Sequence, residues 1–457
     1  MQFKNSIIVI ILLIGLVVIP NNDANVHPLS MRFTISIDGK NHPPIMIEGN
    51  DNFTSENGVT GGSGTEADPY ILENWIIVGD GSISTGIVVN NTDVYFIIRN
   101  CTIYNFDLWN YCGLIFNNVT NGIIDNISLY ENCYGAFIID SSYIEINQCL
   151  CYSIEYQGLA LSNSSSIRIS SCECYNVINS YSIYLSDSAD IVVEDTFLHD
   201  NFKGLGISES YDTQNPITNI TIVDCIFKNH SWDGILFSSR NRHPSHSVVR
   251  DCKFYNNGWT GTRCGISIER LSHNIIENCT FFQNRIGIGV STKANIIRNC
   301  SIYNNRDGIQ ISGWLIAIPP ETIPNNKVIH CDIYNNTIGI LQVTSFRTHI
   351  EKNNINNNSW IGLYIFPSCT GELNFNNIHG NGYAEDVQLP CGLYCGRSII
   401  DARYNWWGSE NGPRMYKYGF LGIIPIRFVG SEKIIRSRSI IIYRPWVKEP
   451  IPDAGVR

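Results

Sequence analysis

One motif recurs along the chain, and its clearest copy reads Ile296-Ile297-Arg298-Asn299-Cys300-Ser301-Ile302-Tyr303-Asn304-Asn305, followed by Gly308-Ile309-Gln310-Ile311. The same pattern returns at residues 248–268 and 275–290. With Cys300 as the reference, equivalent positions are 21 to 31 residues apart. They are Cys101, Ile127, Cys149, Cys172, Thr196, Cys225, Cys252, Cys279, Cys331, Asn353 and Asn376. A repeat of this length predicts a solenoid of stacked coils.

Two apolar columns predict the strands of each coil. The residues three before the reference are aliphatic in every copy, and those two after it are apolar. Their opposite parity implies a bend between two short strands, and the Gly-Ile-x-Ile element adds a third. The fold class is therefore all-β: a single-stranded right-handed parallel β-helix of about 12 to 13 coils with N- and C-terminal caps. The connections are too short for a βαβ sheet, and the period does not fit a β-propeller.

Polar residues also fall into columns. Asparagine pairs such as Asn304-Asn305 lie four and five after the reference, where stacked amides can bridge neighbouring coils. The charges of Arg250, Glu277 and Arg298 fall on successive coils and predict an ion-pair ladder. An aromatic column, three after the reference, predicts rings stacked at the coil edge, with sugar binding as the alternative. Its members are Tyr104, Tyr130, Tyr152, Tyr175, Tyr255, Phe282, Tyr303 and Tyr334.

Sixteen cysteines in a chain predicted to be exported would suggest a disulfide framework. Eight of them occupy the reference column, where a small apolar core residue fits. Cys151 and Cys174 lie on the second apolar column, so a thiolate metal site is less favoured there than a packed core. Disulfides are predicted instead for cysteines outside the columns, with one pairing across adjacent coils. The candidates are Cys112 with Cys133, and Cys369, Cys391 and Cys395.

The N-terminus resembles an export signal. Lys4 precedes an apolar run from residue 7 to residue 19, which Pro20 ends. As a helix this run rises about 20 Å, which is shorter than the roughly 30 Å hydrocarbon core of a bilayer. Residues 1–24 are therefore predicted to be a signal peptide, with an uncleaved N-terminal anchor as the alternative. The expected location is secreted or on the cell surface.

The rest of the chain divides into three regions that differ in sequence pattern. Residues 25–95 are predicted to form an N-terminal cap and the first coils, residues 96–403 the β-helix repeats, and residues 404–457 a C-terminal cap and tail. A solenoid needs such caps because its open ends would expose unpaired strand edges. The formal net charge of -10 argues against a nucleic-acid partner.

Motifs at both ends carry a resemblance to a known family. Gly64-Thr65 with Asp68-Pro69-Tyr70-Ile71 precedes the repeats, Asn405-Trp406-Trp407-Gly408 with Gly412-Pro413 follows them, and Tyr443-Arg444-Pro445-Trp446 lies near the end. Together with the Asn-Cys-x-Ile-Tyr-Asn-Asn coils, they resemble the NosD-like right-handed β-helix repeat family of the pectin-lyase-like superfold. The resemblance covers about residues 44–450. It implies no single activity, because the superfamily mixes copper-associated periplasmic proteins, hydrolases, epimerases, lyases and surface proteins.

Long insertions indicate where a ligand would bind. Residues 208–216, 238–246 and 312–324 follow the Gly-Ile-x-Ile strand and are predicted to leave the same corner as one lateral patch. Another loop, residues 258–264, leaves a different corner. The candidate ligand-binding residues on these loops are Glu209, Tyr211, Asp212, His243, His246, Trp259, Arg263, Trp314 and Glu321.

These features favour a non-catalytic surface protein that binds glycan or another cell-envelope ligand on this loop-lined face. A polysaccharide lyase, hydrolase or epimerase is the alternative, but the chain lacks an Asp-Asp pair and a Gly-His-Gly element. A NosD-like copper-associated periplasmic protein is the second alternative. Copper favours clustered Met, Cys or His, and the chain has only four Met and one short-range histidine pair. No cofactor, metal or catalytic residue is predicted. A membrane contact is expected only if the N-terminal segment stays uncleaved.

Overall fold

The described chain winds into coils, and each coil adds one strand to each of three parallel β-sheets. We call them sheets C, A and B, in the order in which the chain passes through them within one coil. The architecture is the predicted right-handed parallel β-helix of about 12 turns. The computed structural model describes residues 39–210, 216–258, 260, 263–312, 325–343, 347–382, 391–417, 433–437 and 439–457. All of them belong to one compact unit.

Sheet A has fourteen strands. In spatial order they are Lys40–Asn41, Trp75–Val78, Thr102–Tyr104, Ser128–Tyr130, Leu150–Ile154, Glu173–Val177, Phe197–His199, Ile226–Lys228, Lys253–Tyr255, Thr280–Phe282, Ser301–Tyr303, Asp332–Tyr334, Asn354–Asn356 and Asn377–His379.

Sheet B has sixteen strands. They are Ile45–Glu48, Thr85–Thr92, Cys112–Val119, Tyr134–Ile139, Leu159–Ser162, Tyr181–Ser186, Lys203–Ser208, Ile235–Pro244, Cys264–Ser272, Ile286–Val290, Asp307–Ser312, Ile338–Val343, Ile361–Ile365, Cys391–Gly396, Lys433–Ser437 and Arg414–Lys417.

Sheet C also has sixteen strands. They are Val59–Gly61, Tyr70–Glu73, Phe96–Arg99, Gly122–Asp125, Ser142–Asn147, Ser165–Ser170, Ala189–Glu194, Thr218–Val223, Val248–Arg250, Ile275–Glu277, Ile296–Arg298, Asn326–Ile329, Thr348–Glu351, Thr370–Asn374, Ile399–Asp401 and Ile440–Ile442. Val59–Gly61 pairs antiparallel with Tyr70–Glu73, and the other pairings between named strands of the described chain are parallel. Two 3-10 turns, Asn50–Asn52 and Ser55–Asn57, lie near the N-terminal end.

The predicted apolar columns form the core. Ile297, Ile302 and Ile309, one from each sheet of a single coil, are all at most 2% exposed. The cysteines of the reference column are buried among them. Trp407 is fully buried at the C-terminal end of the same core. In the described part of the chain, no helix is long and apolar enough to cross a membrane.

An asparagine ladder lines the turn between sheets A and B. The Asn305 amide nitrogen donates to the Asn336 side-chain oxygen at 3.1 Å and to the Phe281 carbonyl at 3.0 Å. The Asn305 oxygen accepts from the backbone N–H of Asn284 at 2.9 Å. Asn304, the neighbour predicted to tolerate left-handed angles, has a φ of 55°. Stacked coils therefore satisfy these buried amides, because each coil offers its neighbour the same groups in register.

The outer columns are partly as predicted. Tyr104 stacks on Tyr130 with ring centres 4.7 Å apart, and the rings of Tyr303 and Tyr334 are 5.0 Å apart. The charge ladder is shorter than predicted, because Glu277 pairs with Arg298 whereas Arg250 pairs with its sequence neighbour Asp251. An acidic residue in the next turn position gives that arginine a local partner.

Candidate functional site

The outer face of sheet B carries a column of residues that each stand directly before the glycine of their coil, or before Ser182 in one coil. We call it the rim column. Its members are Thr85, Cys112, Tyr134, Gln157, Tyr181, Lys203, Asp233, Cys264, Ile286, Asp307, Ile338, Ile361 and Cys391. Glycine is required because a β-carbon on Gly204 would lie 2.1 Å from the Gly234 carbonyl oxygen of the next coil. Only three members of this column carry charge.

A second column stands one residue earlier, where the chain turns from sheet A into sheet B. We call it the corner column. Its members are Tyr111, Cys133, Tyr156, Ser180, Phe202, Trp232, Arg263, Arg285, Arg306, Thr337 and Trp360. The column is largely aromatic up to Trp232 and then continues with three arginines on successive coils. The charged rim residues Lys203 and Asp233 lie where this change of character occurs.

Trp232 contacts two cations at this junction. Lys203 Nζ lies 4.5 Å from the centre of the Trp232 ring, and Arg263 Cζ lies 3.9 Å from it. Lys203 Nζ is also 4.6 Å from the centre of the Tyr181 ring. The negative faces of the aromatic rings attract both cations and hold them at the surface of the sheet. We call Tyr181, Lys203, Trp232, Asp233 and Arg263 the Trp232 cluster.

Asp233 is the buried acid of the cluster, with 3% of its surface exposed. Its Oδ1 accepts the backbone N–H of Cys264 at 2.7 Å. Its Oδ2 accepts no hydrogen bond from the described residues and lies 3.7 Å from Arg263 Nη1. Burial raises the pKa of Asp233 to about 6, against the opposing effects of the Cys264 N–H and the Arg263 charge. One buried oxygen of this carboxylate is therefore left without a hydrogen-bond donor beside a guanidinium.

The other ionisable groups of the cluster are also perturbed. Burial lowers the pKa of the Lys203 ammonium, and the nearby charge of Arg263 adds to this effect. Burial likewise raises the pKa of the Tyr181 phenol. A carboxyl group whose pKa is raised and a nearby amine whose pKa is lowered are features that often mark a functional site.

An aromatic patch continues the cluster toward the N-terminus. Trp109 is 64% exposed and packs edge-on against Tyr156, with ring centres 5.1 Å apart. Tyr156 stacks with Tyr134, whose ring lies 5.0 Å from that of Phe137. Exposed aromatic rings of this kind offer flat apolar surfaces with polar edges. The outer face of sheet B thus combines an aromatic half with a cationic half.

Comparison with known proteins identifies the family. The model of the right handed beta helix region matches residues 85–245, 177–319 and 321–402, which together exceed half of the 457 residues. The chain belongs to this right-handed β-helix family. Among curated proteins, none matches its sequence.

Solved structures similar to this β-helix include an alginate lyase of class PL6 in complex with a trisaccharide. That enzyme is 10% identical, with a TM-score of 0.51 over 87% of this chain and 96% of the lyase. The periplasmic alginate epimerase AlgG is 13% identical over 81% of this chain and 84% of its own, with a TM-score of 0.37. A pectate lyase is 14% identical over 70% and 77%, with a TM-score of 0.31. At these identities the similarity concerns the fold.

Two of the predicted loop residues of the β-helix meet at the corner between sheets B and C. His243 Nε2 lies 2.5 Å from Glu209 Oε1, and Ser239 Oγ donates to Glu209 Oε2 at 2.6 Å. The backbone N–H of Ile217 also donates to Glu209, whose side chain is 1% exposed. Both carboxylate oxygens are thus satisfied internally. This contact ties two inserted loops together and leaves the Glu209 carboxylate little room for a ligand.

The other predicted ligand-binding residues are dispersed. His246 packs against His273, with ring centres 5.2 Å apart, and Arg263 belongs to the Trp232 cluster at the opposite end of the sheet B strands. The remaining candidates lie outside the described residues; they are Tyr211, Asp212, Trp259, Trp314 and Glu321. A single lateral patch that includes the third long loop stays a prediction.

Sequence reasoning missed Tyr181, Lys203, Trp232 and Asp233. The signal was present in the rim column, because a charged residue precedes glycine in Lys203-Gly204 and Asp233-Gly234 while most coils have a neutral one. The apolar positions define the repeat, and this outer position stands out only when its residues are compared from coil to coil.

All sixteen cysteines of the β-helix are free and buried in this structure. Cys112 and Cys133 lie on neighbouring coils, and burial is the largest cause that raises the pKa of each thiol. The structure contains no bridge between them, so that disulfide stays a prediction, as do bridges among Cys369, Cys391 and Cys395.

Proposed function

We propose that this β-helix binds a linear acidic glycan along the outer face of sheet B. The contact of Trp232 with the cations Lys203 and Arg263 is the observation that carries the proposal. The Trp232 ring lies against both cations and holds them in place, where they can pair with the acidic groups of a glycan. The exposed aromatic patch around Trp109 would provide the surface on which a sugar stacks.

The proposal places the ligand on a different surface from the loop patch that the sequence favoured. The glycan ligand and the non-catalytic role are retained from that earlier hypothesis. Export to the secreted or cell-surface compartment is part of the same proposal, supported by the apolar run before Pro20. The NosD-like resemblance of the terminal motifs supports membership of that subfamily, and a copper role has weaker support because Met and His are sparse.

The decisive experiment measures binding of alginate oligomers to the protein and to Trp232→Ala by calorimetry. We expect the substitution to weaken binding by about tenfold or more, because Trp232 holds Lys203 and Arg263 in place through cation contacts of about 1 to 2 kcal/mol. Trp360→Ala is the matched control, since Trp360 occupies the same column on a distant coil. Neutral cello-oligomers of equal length should bind more weakly. No binding by the unsubstituted protein, or equal loss in both variants, would reject the proposal.

Cleavage of the glycan is the second candidate function, and the unpartnered oxygen of Asp233, whose pKa burial raises to about 6, favours it. A carboxyl group with such a pKa can exchange a proton with a sugar near neutral pH. The same binding mixtures distinguish the two functions. New reducing ends or the absorbance of an unsaturated sugar would show that the protein cleaves the glycan. Unchanged oligomers would support binding without cleavage.

A further inference from the structure

The arginine half of the corner column repeats with the pitch of the coils. Cys264, Ile286 and Asp307 are register partners on adjacent strands of sheet B. The residues before them, Arg263, Arg285 and Arg306, therefore fall in one line. Adjacent strands lie about 4.8 Å apart, so the three guanidinium groups start from backbone positions spaced by about that distance. Three like charges so close repel one another unless an anion compensates them.

Acidic residues of the protein compensate this line only in part, and Asp307 interacts with Arg285 and Arg306 electrostatically without a close ion pair. Arg263 lies near Asp233 and Glu269 at 3.7 and 4.0 Å. Within the described part of the chain, Arg285 and Arg306 form no ion pair within 4.0 Å. Arg306 is exposed. A cationic line of this kind is unusual on a chain whose formal net charge is -10.

Asp307 provides a second, independent observation at the end of the line. It is 7% exposed, and its Oδ1 has no hydrogen-bond partner among the described residues. Its register partners on the rim are Ile286 and Ile338, which are themselves buried. Burial raises the pKa of Asp307, against the opposing charges of Arg306 and Arg285. A buried acceptor without a donor is costly, so a bound hydroxyl group would satisfy it.

The environment of Asp307 repeats that of Asp233. Both are buried rim carboxylates with one oxygen unpartnered, and both lie next to arginines of the corner column. Three coil steps separate them along the column through Cys264 and Ile286, which corresponds to roughly 14 Å at the usual strand spacing. A single sugar cannot reach both positions, whereas a chain of several sugars can.

We infer that Arg263, Arg285, Arg306 and Asp307 form a second binding stretch that holds an acidic glycan parallel to the helix axis. The arginines pair with successive acidic groups of the chain, and the Asp307 carboxylate accepts a sugar hydroxyl. This inference rests on the proposed function and adds the direction, minimum length and charge of the ligand. The stretch begins at the Trp232 cluster and ends before Thr337, where the column becomes neutral again.

Oligomer length provides the test. Alginate dimers and octamers are titrated into the unsubstituted protein and into the variants Arg285→Gln and Arg306→Gln. We expect the octamer to bind the unsubstituted protein about tenfold more tightly than the dimer, because a dimer has only two acidic groups and cannot pair with all three arginines. Each substitution should lower the octamer affinity by roughly three- to tenfold and leave the affinity of a dimer bound at Lys203 and Arg263 unchanged.

Lys327→Gln is the matched control, because it removes one positive charge from an exposed site on sheet C. Equal losses in Lys327→Gln and Arg306→Gln would mean general charge attraction and would overturn the inference. Equal affinity for dimer and octamer, unaffected by the arginine substitutions, would also overturn it while leaving the proposed function intact. Absence of binding by either oligomer to the unsubstituted protein would instead reject the proposed function. Circular dichroism of each variant verifies that these surface substitutions leave the fold unchanged.

Discussion

The inner asparagine ladder and the outer rim column run along the same coils and differ in how their polar atoms are satisfied. In the ladder, the side-chain oxygen of Asn305 accepts from Asn284 while its nitrogen donates to Asn336. In the rim column, Asp233 and Asp307 each keep one buried oxygen without a hydrogen-bond partner among the described residues. The same backbone geometry thus supports an inner column whose amides are hydrogen-bonded and an outer column in which two carboxylates each keep an unpartnered oxygen.

The difference follows from what the repeat can supply. A ladder position is satisfied when the next coil carries the same amide at the same place, so its stability increases with regularity. The rim carboxylates depart from the repeat, and no neighbouring coil offers them a matching donor. Buried polar atoms without partners reduce stability, and proteins retain such positions mainly at functional sites. The comparison therefore separates residues that hold the solenoid together from residues available to a ligand.

Asn305→Ala should have the largest effect on stability. It removes the acceptor of the buried Asn284 N–H and the donors to Phe281 and Asn336. Because buried groups left without partners cost about 1 to 3 kcal/mol each, we expect a loss of about 3 kcal/mol or more. Guanidinium unfolding monitored by circular dichroism measures it.

The control is Asn356→Ala, the same change on the outer face of sheet A, where Asn356 lies beside Tyr334. We expect a loss of less than about 1 kcal/mol there, as for most surface substitutions. Similar losses at both positions would mean that the ladder contributes no more than a half-buried asparagine on the outer face, and the contrast between the two columns would fail.

The regular part of this contrast was predictable from the sequence and the irregular part was not. Twelve aligned copies place Ile297 and Ile302 in the core, and the pairs such as Asn304-Asn305 identify the turn. By contrast, the contact of Trp232 with Lys203 joins residues 29 positions apart on different coils, one in a turn and one on a strand. Such a contact depends on the coil register and on side-chain conformation, neither of which periodicity specifies.

Asp233→Asn should raise stability above neutral pH. Burial raises the pKa of Asp233 to about 6 from an ordinary value of 3.8. The folded chain therefore keeps the proton to a higher pH than the unfolded chain, so stability falls as the pH rises from about 4 to about 6 and stays lower above that. We expect the variant to be more stable by about 2 kcal/mol at pH 8 and unchanged near pH 4. An equal gain at both pH values would show that ionisation of Asp233 is not the cause.

The inner ladder has its own exception at His230, in the same turn as Trp232 and Asp233. His230 occupies the ladder position between Asn201 and Asn257 and is fully buried. Neither of its ring nitrogens makes a well-aligned hydrogen bond with the described residues, and the backbone of Asn201 and Leu198 raises its pKa only against the larger effect of burial. Burial lowers the pKa of His230 to about 3. This coil therefore interrupts both columns at once, next to the proposed site.

His230→Asn should repair the ladder, with the smallest of the three effects. The unfolded histidine titrates near 6.5, so the unfolded chain takes up the proton first and stability falls as the pH drops below that value toward 3. An amide has no such titration and can bond to the Asn257 oxygen and the Leu198 carbonyl as its neighbours do. We expect a gain of about 1 kcal/mol at pH 6 that increases at pH 5, measured by unfolding at both values. A variant that is less stable than the unsubstituted protein at pH 6 would show that the imidazole fills a space the amide cannot, and that packing rather than hydrogen bonding fixes this turn.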